Sequence, residues 1–366
     1  MSAAISSTAR LIAVSGLGPK EPAAFIVEAN GRRLLLDCGE GSEAGRLPDF
    51  EAIGRVDAIV LSHGHKDHAG ALRLRDRIGM PPVFATAPVL ARLKDMPGHE
   101  IPICGTADVL GTAITTGRDG HAPGGVWLRL EAGDGLLYMA DCSLESPVYV
   151  FDEPPPTATA IIDASYGEAE EALDRQRKSV ADVVAAGPVL LPVPADGRAP
   201  EIAMCLIEAG FEVSIDQEVR SVVAMLAGSA RASAKPEVIA RLDRLRMGTR
   251  ALDETAEPRG AMVAHGASGD VGTAAKLIRR WQGEREPAIL FTGHVGADST
   301  GKQLLDSARA RFQRWNVHPR FSDNLRLVES LASKRIVPAF GEPQHLSAWR
   351  ARLAPREVVT STPIAL

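Results

Sequence analysis

LSHGHKDHAG, residues 61–70, is the stretch on which the reading of this 366-residue chain turns. It places His63, His65, Asp67 and His68 within six residues, directly after the apolar run VDAIVLS (56–62). Alternate side chains of an extended segment point to the same side, so His63 and His65 can grip one ion. Asp67 and His68, beyond a turn, can face a second. A solitary histidine is more often a core or surface residue, but three histidines and an aspartate in one short loop form a metal-ligand pattern.

Around that loop the first 165 residues are rich in β signals. RLIAV (10–14), AAFIVEA (23–29) and RRLLLD (32–37) are short apolar runs separated by Gly, Pro and Asn, the pattern of a meander. VWLRLEA (126–132), GLLYMAD (135–141) and ATAIIDA (158–164) read the same way. Residues able to bind metal or move protons recur at the ends of these runs, where loops can bring them together. After residue 165 strands alternate with helices. A helical pattern over 168–187 is followed by PVLLPV, a helix near 199–209, FEVSI, GAMVAH (260–265) and PAILFT (287–292). That alternation predicts a parallel sheet with covering helices. The last fifty residues return to a strand, RIVPA (335–339), between one helix beginning after Ser322 and another near Pro343.

With these motifs in order, the chain resembles the metallo-β-lactamase superfamily, whose signature is HxHxDH. The resemblance implies that Asp37, in LLLDCGEG, buttresses the histidine loop. It implies that His121, in GRDGHAPGG, completes the first metal site with His63 and His65, and that Asp141 bridges two ions. VLLPVPADGRAPEIAMCL (189–206), containing Arg198, is similar to a segment of the β-CASP group. IIDASYGE (161–168) resembles that group's motif A and places Asp163 beside the metals. The implied fold is α/β: a metallo-β-lactamase αββα sandwich with an inserted α/β β-CASP cap. The sandwich would take residues 1–165 and 317–366, and the cap residues 166–316. Enzymes of this group act on nucleic acid, mostly RNA. The implied chemistry is attack on phosphorus by a hydroxide that metal generates near neutral pH, with Asp67, Asp163 and His318 as catalytic residues. Zinc, as one or two ions, suits the His/Asp donors, and manganese or iron bind similar sets.

The sequence departs from the family at two places. Phe340, in AFGEP, stands where a histidine normally completes the second metal site, and a hydrocarbon ring cannot coordinate. His345 is the nearest substitute ligand. Asn324, in FSDN, stands where the motif B histidine belongs, leaving His318 as the nearest proton donor to a leaving group, held by Asp163.

GADSTGK (296–302) matches G-x-x-x-x-G-K, but Gln303 replaces the hydroxyl that would bind magnesium. The glycines read more simply as a turn opening a helix, with Gly296, Gly301 and Lys302 as candidate contacts to a substrate phosphate. Arg231, Lys235, Arg241, Arg244, Arg246 and Arg250, with Arg279 and Arg280 further on, are either a solvated face or one wall of an RNA groove. Net charge is −5, so the chain as a whole is not drawn to nucleic acid. Only 4% of residues are aromatic, which argues against a binder relying on base stacking. The four scattered cysteines suggest neither a disulfide framework nor a zinc ribbon. With neither a signal-like start nor a membrane span, the expected address is the cytoplasm. A homo-oligomer or a complex with processing proteins is an open expectation. A weakly active or non-catalytic partner subunit, and a small-molecule metallo-hydrolase, are the alternatives to a nuclease. The absence of a Gly-x-Ser-x-Gly elbow removes a serine hydrolase.

Overall fold

Alternation with period two builds the two sheets that carry the site. Arg10–Ser15, Ala24–Ala29 and Arg32–Leu36 form an antiparallel meander, which Ala58–Val60, Val83–Ala85 and His99–Glu100 extend in parallel. Ile364–Ala365 closes the other edge against Arg10–Ser15. The computed structural model describes residues 9–366 except 21, 42, 44, 94, 95, 282 and 285, so the first eight residues of the N-terminal segment lie outside the described residues.

The second sheet runs in the order Glu357–Val358, Arg335–Ala339, Thr159–Asp163, Leu136–Tyr138, Val126–Leu130, Thr112–Arg118, Gly105–Val109. The inner faces of the two sheets meet. Leu11, Phe25, Val27, Leu34, Leu36 and Val60 pack against Leu128, Leu130, Leu136, Tyr138, Ile161 and Val337. The intervening residues point the other way. Ile26, Leu35 and Ile59 pack with Phe50, Ile53 and Leu72, while Leu137, Ala160, Ile162 and Ile336 pack with Phe321, Leu327, Leu331 and Trp349. The result is the expected αββα sandwich.

A third sheet is parallel throughout, with Val189–Val193 and Ala261–His265 at its centre. Both faces are covered, so its central strands are apolar on both sides. Val189, Leu191 and Val193 pack with the helices Arg198–Glu208 and Gln217–Ala227, and Leu190 and Met262 with Gly272–Arg280. The chain leaves the second sheet at Asp163 and re-enters it at Arg335. Those two strands are neighbours, in register from Thr159 opposite Arg335 to Asp163 opposite Ala339. The third sheet is thus inserted between two adjacent parallel strands.

Three details differ from the sequence reading. The hairpin Gly105–Val109/Thr112–Arg118 is unforeseen, because few of its residues are large and apolar. The helix Phe321–Leu331 begins before Ser322, with Asp323 closing its first turn onto Arg320. The helix near Pro343 is a single 3₁₀ turn, Pro343–His345, followed by Leu346–Leu353. Among the described residues, no helix is long and apolar enough to cross a membrane.

Candidate metal centre

Three of the strands that approach the site end in an abrupt kink. Asp37, Ala140 and Phe340 each adopt a positive φ, of 58°, 52° and 62°, immediately or shortly after Arg32–Leu36, Leu136–Tyr138 and Arg335–Ala339. Such a conformation is uncommon for residues with a Cβ, and for a bulky residue it marks a site under constraint. The kinks turn Asp37, Asp141 and the Phe340 ring toward the histidine loop.

Asp37 is the hub beneath that loop. It is fully buried and accepts from Ser62 N (2.8 Å), Ser62 Oγ (2.7 Å), Tyr138 OH (2.6 Å) and His68 Nδ1 (2.7 Å). Because the Ser62 hydroxyl gives its proton to Asp37, it accepts from His63 Nδ1, 3.0 Å away. His63 therefore carries its proton on Nδ1 and turns the Nε2 lone pair inward. His121 is fixed in the same sense, its Nδ1 donating to the Val317 carbonyl at 2.7 Å. His65 is reversed. Its Nε2 lies 3.6 Å from Asp196 Oδ1, and its Nδ1 faces His121 Nε2 at 3.1 Å. Outer partners of this kind set the tautomer and orientation of metal-binding histidines.

The inward atoms converge. His63, His65, His121 and Asp141 each offer a donor atom within 4.8 Å of the others. His63 Nε2 and Asp141 Oδ2 are buried with no hydrogen-bond partner among the described residues. Burial and the neighbouring histidines hold the His63 imidazole well below its ordinary pKa, and burial with His65 does the same for His121. Both are held in the neutral form, which carries the lone pair a metal needs. Two orphaned buried donors, His63 Nε2 and Asp141 Oδ2, within a convergent His₃Asp set fit a divalent ion.

Asp67, His68 and Asp141 form a second, adjoining group. It does not fit an ion as well. His68 Nε2 faces Asp141 Oδ1 at 3.3 Å, and the Phe340 ring lies 5.4 Å from the His68 ring where a fourth donor is expected. Lys20, which sequence reading did not single out, reaches in from the loop before Ala24–Ala29. Its Nζ is 2.9 Å from Asp67 Oδ2 and 3.7 Å from Asp141 Oδ2. Burial would discharge this ammonium, but Asp67 and Asp141 outweigh it and raise its pKa above the usual lysine value. Burial also works against ionising Asp67, and the Lys20 charge reverses the balance, holding that carboxyl below its usual range.

On the far side of Asp141, His318 Nδ1 lies 2.7 Å from Asp163 Oδ2. Asp163 also accepts from Cys142 N, Ser165 N and Ser165 Oγ, which fix both of its oxygens. Asn324 turns its amide onto the Asp163 carbonyl at 2.8 Å and so props the aspartate. Tyr166 stacks edge-on to His318 at 5.0 Å, and the buried Arg198 guanidinium faces Tyr166. Arg198 Nε has no partner among the described residues. The cap thus reaches the centre through two neighbouring residues, Asp196 and Arg198. The turn between them is held by Gly197 (φ 74°), where a Cβ would sit 3.0 Å from the His121 carbonyl.

Two groups of candidate residues are placed elsewhere. His345 is not among the residues that converge on the donor groups. It hydrogen-bonds Glu168 Oε1 at 2.8 Å, because the 3₁₀ turn at Pro343 swings it over Gly167. The 296–302 loop uses its own amides. Gly296 N points to Ser268 Oγ, Thr300 N donates to Asp270, Gly301 N to the Ser268 carbonyl and Lys302 N to Ser299 Oγ, while Lys302 Nζ pairs with Asp306. These bonds make the segment a turn that opens the short helix Thr300–Asp306. Four residues of the basic stretch are paired with acids on the surface: Arg241 with Glu208, Arg246 with Asp243, Arg250 with Glu212 and Arg280 with Glu257.

Residues 17–95 match the family profile described as "Metallo-beta-lactamase superfamily". The matched segment contains Lys20, Asp37 and the histidine loop. The chain is 25% identical over 288 residues to a "Transcription termination factor FttA" of Methanothermobacter thermautotrophicus, covering 64% of this chain and 45% of the relative. It is 31% identical over 230 residues to "Ribonuclease TTHA0252" of Thermus thermophilus, covering 52% of this chain and 53% of the relative. To "Endoribonuclease YSH1" of Mycosarcoma maydis it is 23% identical over 414 residues, covering 90% of this chain and 47% of the relative. The chain thus spans about half the length of these curated relatives. A crystal structure of a protein of unknown function from Enterococcus faecalis V583 covers 98% of this chain at a TM-score of 0.61 and 13% identity, a likeness of fold.

Proposed function

We propose that this chain is a metal-dependent phosphodiesterase that cuts RNA. The observation that carries the proposal is the convergence of four donors, His63, His65, His121 and Asp141, with His63 Nε2 and Asp141 Oδ2 buried and left without partners. An ion held there supplies a water acidic enough to react near neutral pH and a countercharge for phosphoryl oxygens. The chain's own residues supply the rest. His318, oriented by Asp163, delivers a proton to the departing oxygen. Arg198, with an unpartnered Nε beside Tyr166, offers donors to a phosphate. Relatives named as ribonucleases support RNA as the substrate class.

The test is cleavage of end-labelled single-stranded RNA by the zinc- or manganese-loaded chain, beside His65→Ala and beside an ester and lactone panel. The expected result is cutting by wild type that the variant and a chelator both abolish. Equal cutting by His65→Ala, or preference for a lactone, overturns the proposal. Phe340 favours one second reading, a partner subunit that binds RNA without cutting it; metal-loaded chain that retains RNA and leaves it intact would establish that reading.

A further inference from the structure

The second cation position of this fold meets two departures at once. A hydrocarbon ring fills the fourth ligand's place, and an ammonium stands between two of the remaining donors. We propose that Lys20 is the second cation: the centre holds one metal ion, and the chain itself supplies the neighbouring positive charge. The inference rests on the reading that His63, His65, His121 and Asp141 bind an ion.

Geometry carries it. Lys20 Nζ lies 2.9 Å from Asp67 Oδ2 and 3.7 Å from Asp141 Oδ2, bridging the carboxylates that would bridge or hold a second ion. The position is built in. The loop carrying Lys20 is tied down where Ala23 N donates to the Asp67 carbonyl at 2.8 Å, and where a Cβ on Gly39 would strike that same carbonyl. Phe340 is likewise fixed, its N–H bonded to the Gly16 carbonyl at 2.8 Å and its ring edge-on to Phe25. Gly16 and Lys20 belong to the same loop, so one segment seats the aromatic ring and delivers the ammonium. A divalent ion entering between Asp67 and Asp141 would meet a like charge at contact distance, with one donor fewer than the position normally offers.

The experiment is metal stoichiometry by elemental analysis, with electron paramagnetic resonance of the manganese form of the full chain. Wild type is expected to hold one ion per chain and to show an isolated-manganese spectrum at excess metal. Lys20→Met, which keeps length and removes charge, is expected to take up a second ion and develop a spin-coupled spectrum, more strongly still with Phe340→His. Lys20→Arg is expected to remain at one. Two ions in wild type overturn the inference, as does a single ion in both Lys20→Met and the double variant. No ion in wild type refutes the reading of the three-histidine site instead. Acetic anhydride labelling of wild type adds a second readout that does not depend on any variant folding. Lys20 is expected to stay protected with saturating manganese while Lys66 reacts, and Lys20 labelling at the rate of Lys66 overturns the inference.

Discussion

Tyr138→Phe and Asp37→Ala test the wiring beneath the histidine loop. Asp37 receives four hydrogen bonds in a space closed to water, from Ser62 N, Ser62 Oγ, His68 Nδ1 and Tyr138 OH. Tyr138→Phe removes one donor to a charged acceptor, worth about 1.5–3 kcal/mol, and leaves three. Asp37→Ala removes the acceptor and strands all four donors. At about 1–3 kcal/mol for each orphaned group the loss is roughly 4–12 kcal/mol, comparable to the whole stability of a typical domain. Urea unfolding followed by tryptophan fluorescence should therefore show a lowered midpoint for Tyr138→Phe and no folded baseline for Asp37→Ala. The same wiring runs through Ser62 to His63, so Asp37→Asn, if folded, should weaken zinc binding by roughly 10–100-fold, as outer-partner changes do. Tyr138→Phe and Asp37→Asn both within about 0.5 kcal/mol of wild type, with unaltered zinc affinity, would refute the reasoning.

Other outcomes follow from the same geometry. His318→Gln should lower RNA cleavage by about 10²–10⁴-fold while leaving metal content unchanged, since it removes a proton donor and not a ligand of the first site; loss of metal would show that it coordinates. Asp196→Ala, which frees His65 Nε2, should reduce zinc affinity by roughly 10–100-fold, measured by chelator competition. Glu201 is buried against Ser146 and Trp315, and burial pushes its carboxyl from 4.5 to about 7. The folded chain keeps this proton while the unfolded chain loses it. Stability is therefore greatest below pH 4.5 on this group's account and falls as pH rises to about 7, by about 3 kcal/mol in all. Glu201→Gln should remove that slope, and parallel slopes for variant and wild type in urea titrations from pH 5 to 8 would contradict it.

The legible part of this protein is the part whose meaning is local. The histidine loop announces itself because four donors lie within one turn of chain, and the strands around it because one face of each packs in a core. The hairpin at the edge of the second sheet escapes notice because residues such as Thr112, Thr115 and Thr116 give it a weak apolar pattern. Phe340 and Asn324 could be read as departures, yet their consequences could not. Nothing near Phe340 in sequence indicates that its backbone is left-handed or that Gly16 seats it. Lys20 lies in a Gly/Pro-rich loop with no motif, and its role exists only where that loop crosses Asp67. Asp196 sits in a segment whose resemblance to the cap is visible, but its partner, His65, is more than a hundred residues away.

The insertion between adjacent strands also bears on how the chain reaches its native state. Pairing Thr159–Asp163 with Arg335–Ala339 closes a loop of roughly 170 residues, which as flexible chain costs about 2.5 kcal/mol more than a ten-residue loop. A compact third sheet, formed first, would shorten that search by bringing its two ends together. Assembly of the second sheet then waits on the inserted unit, and Asp163 and His318, which lie far apart in the chain, meet only after both have formed. A ribosome synthesising this chain would hold an incomplete sandwich until residues 335–339 emerge.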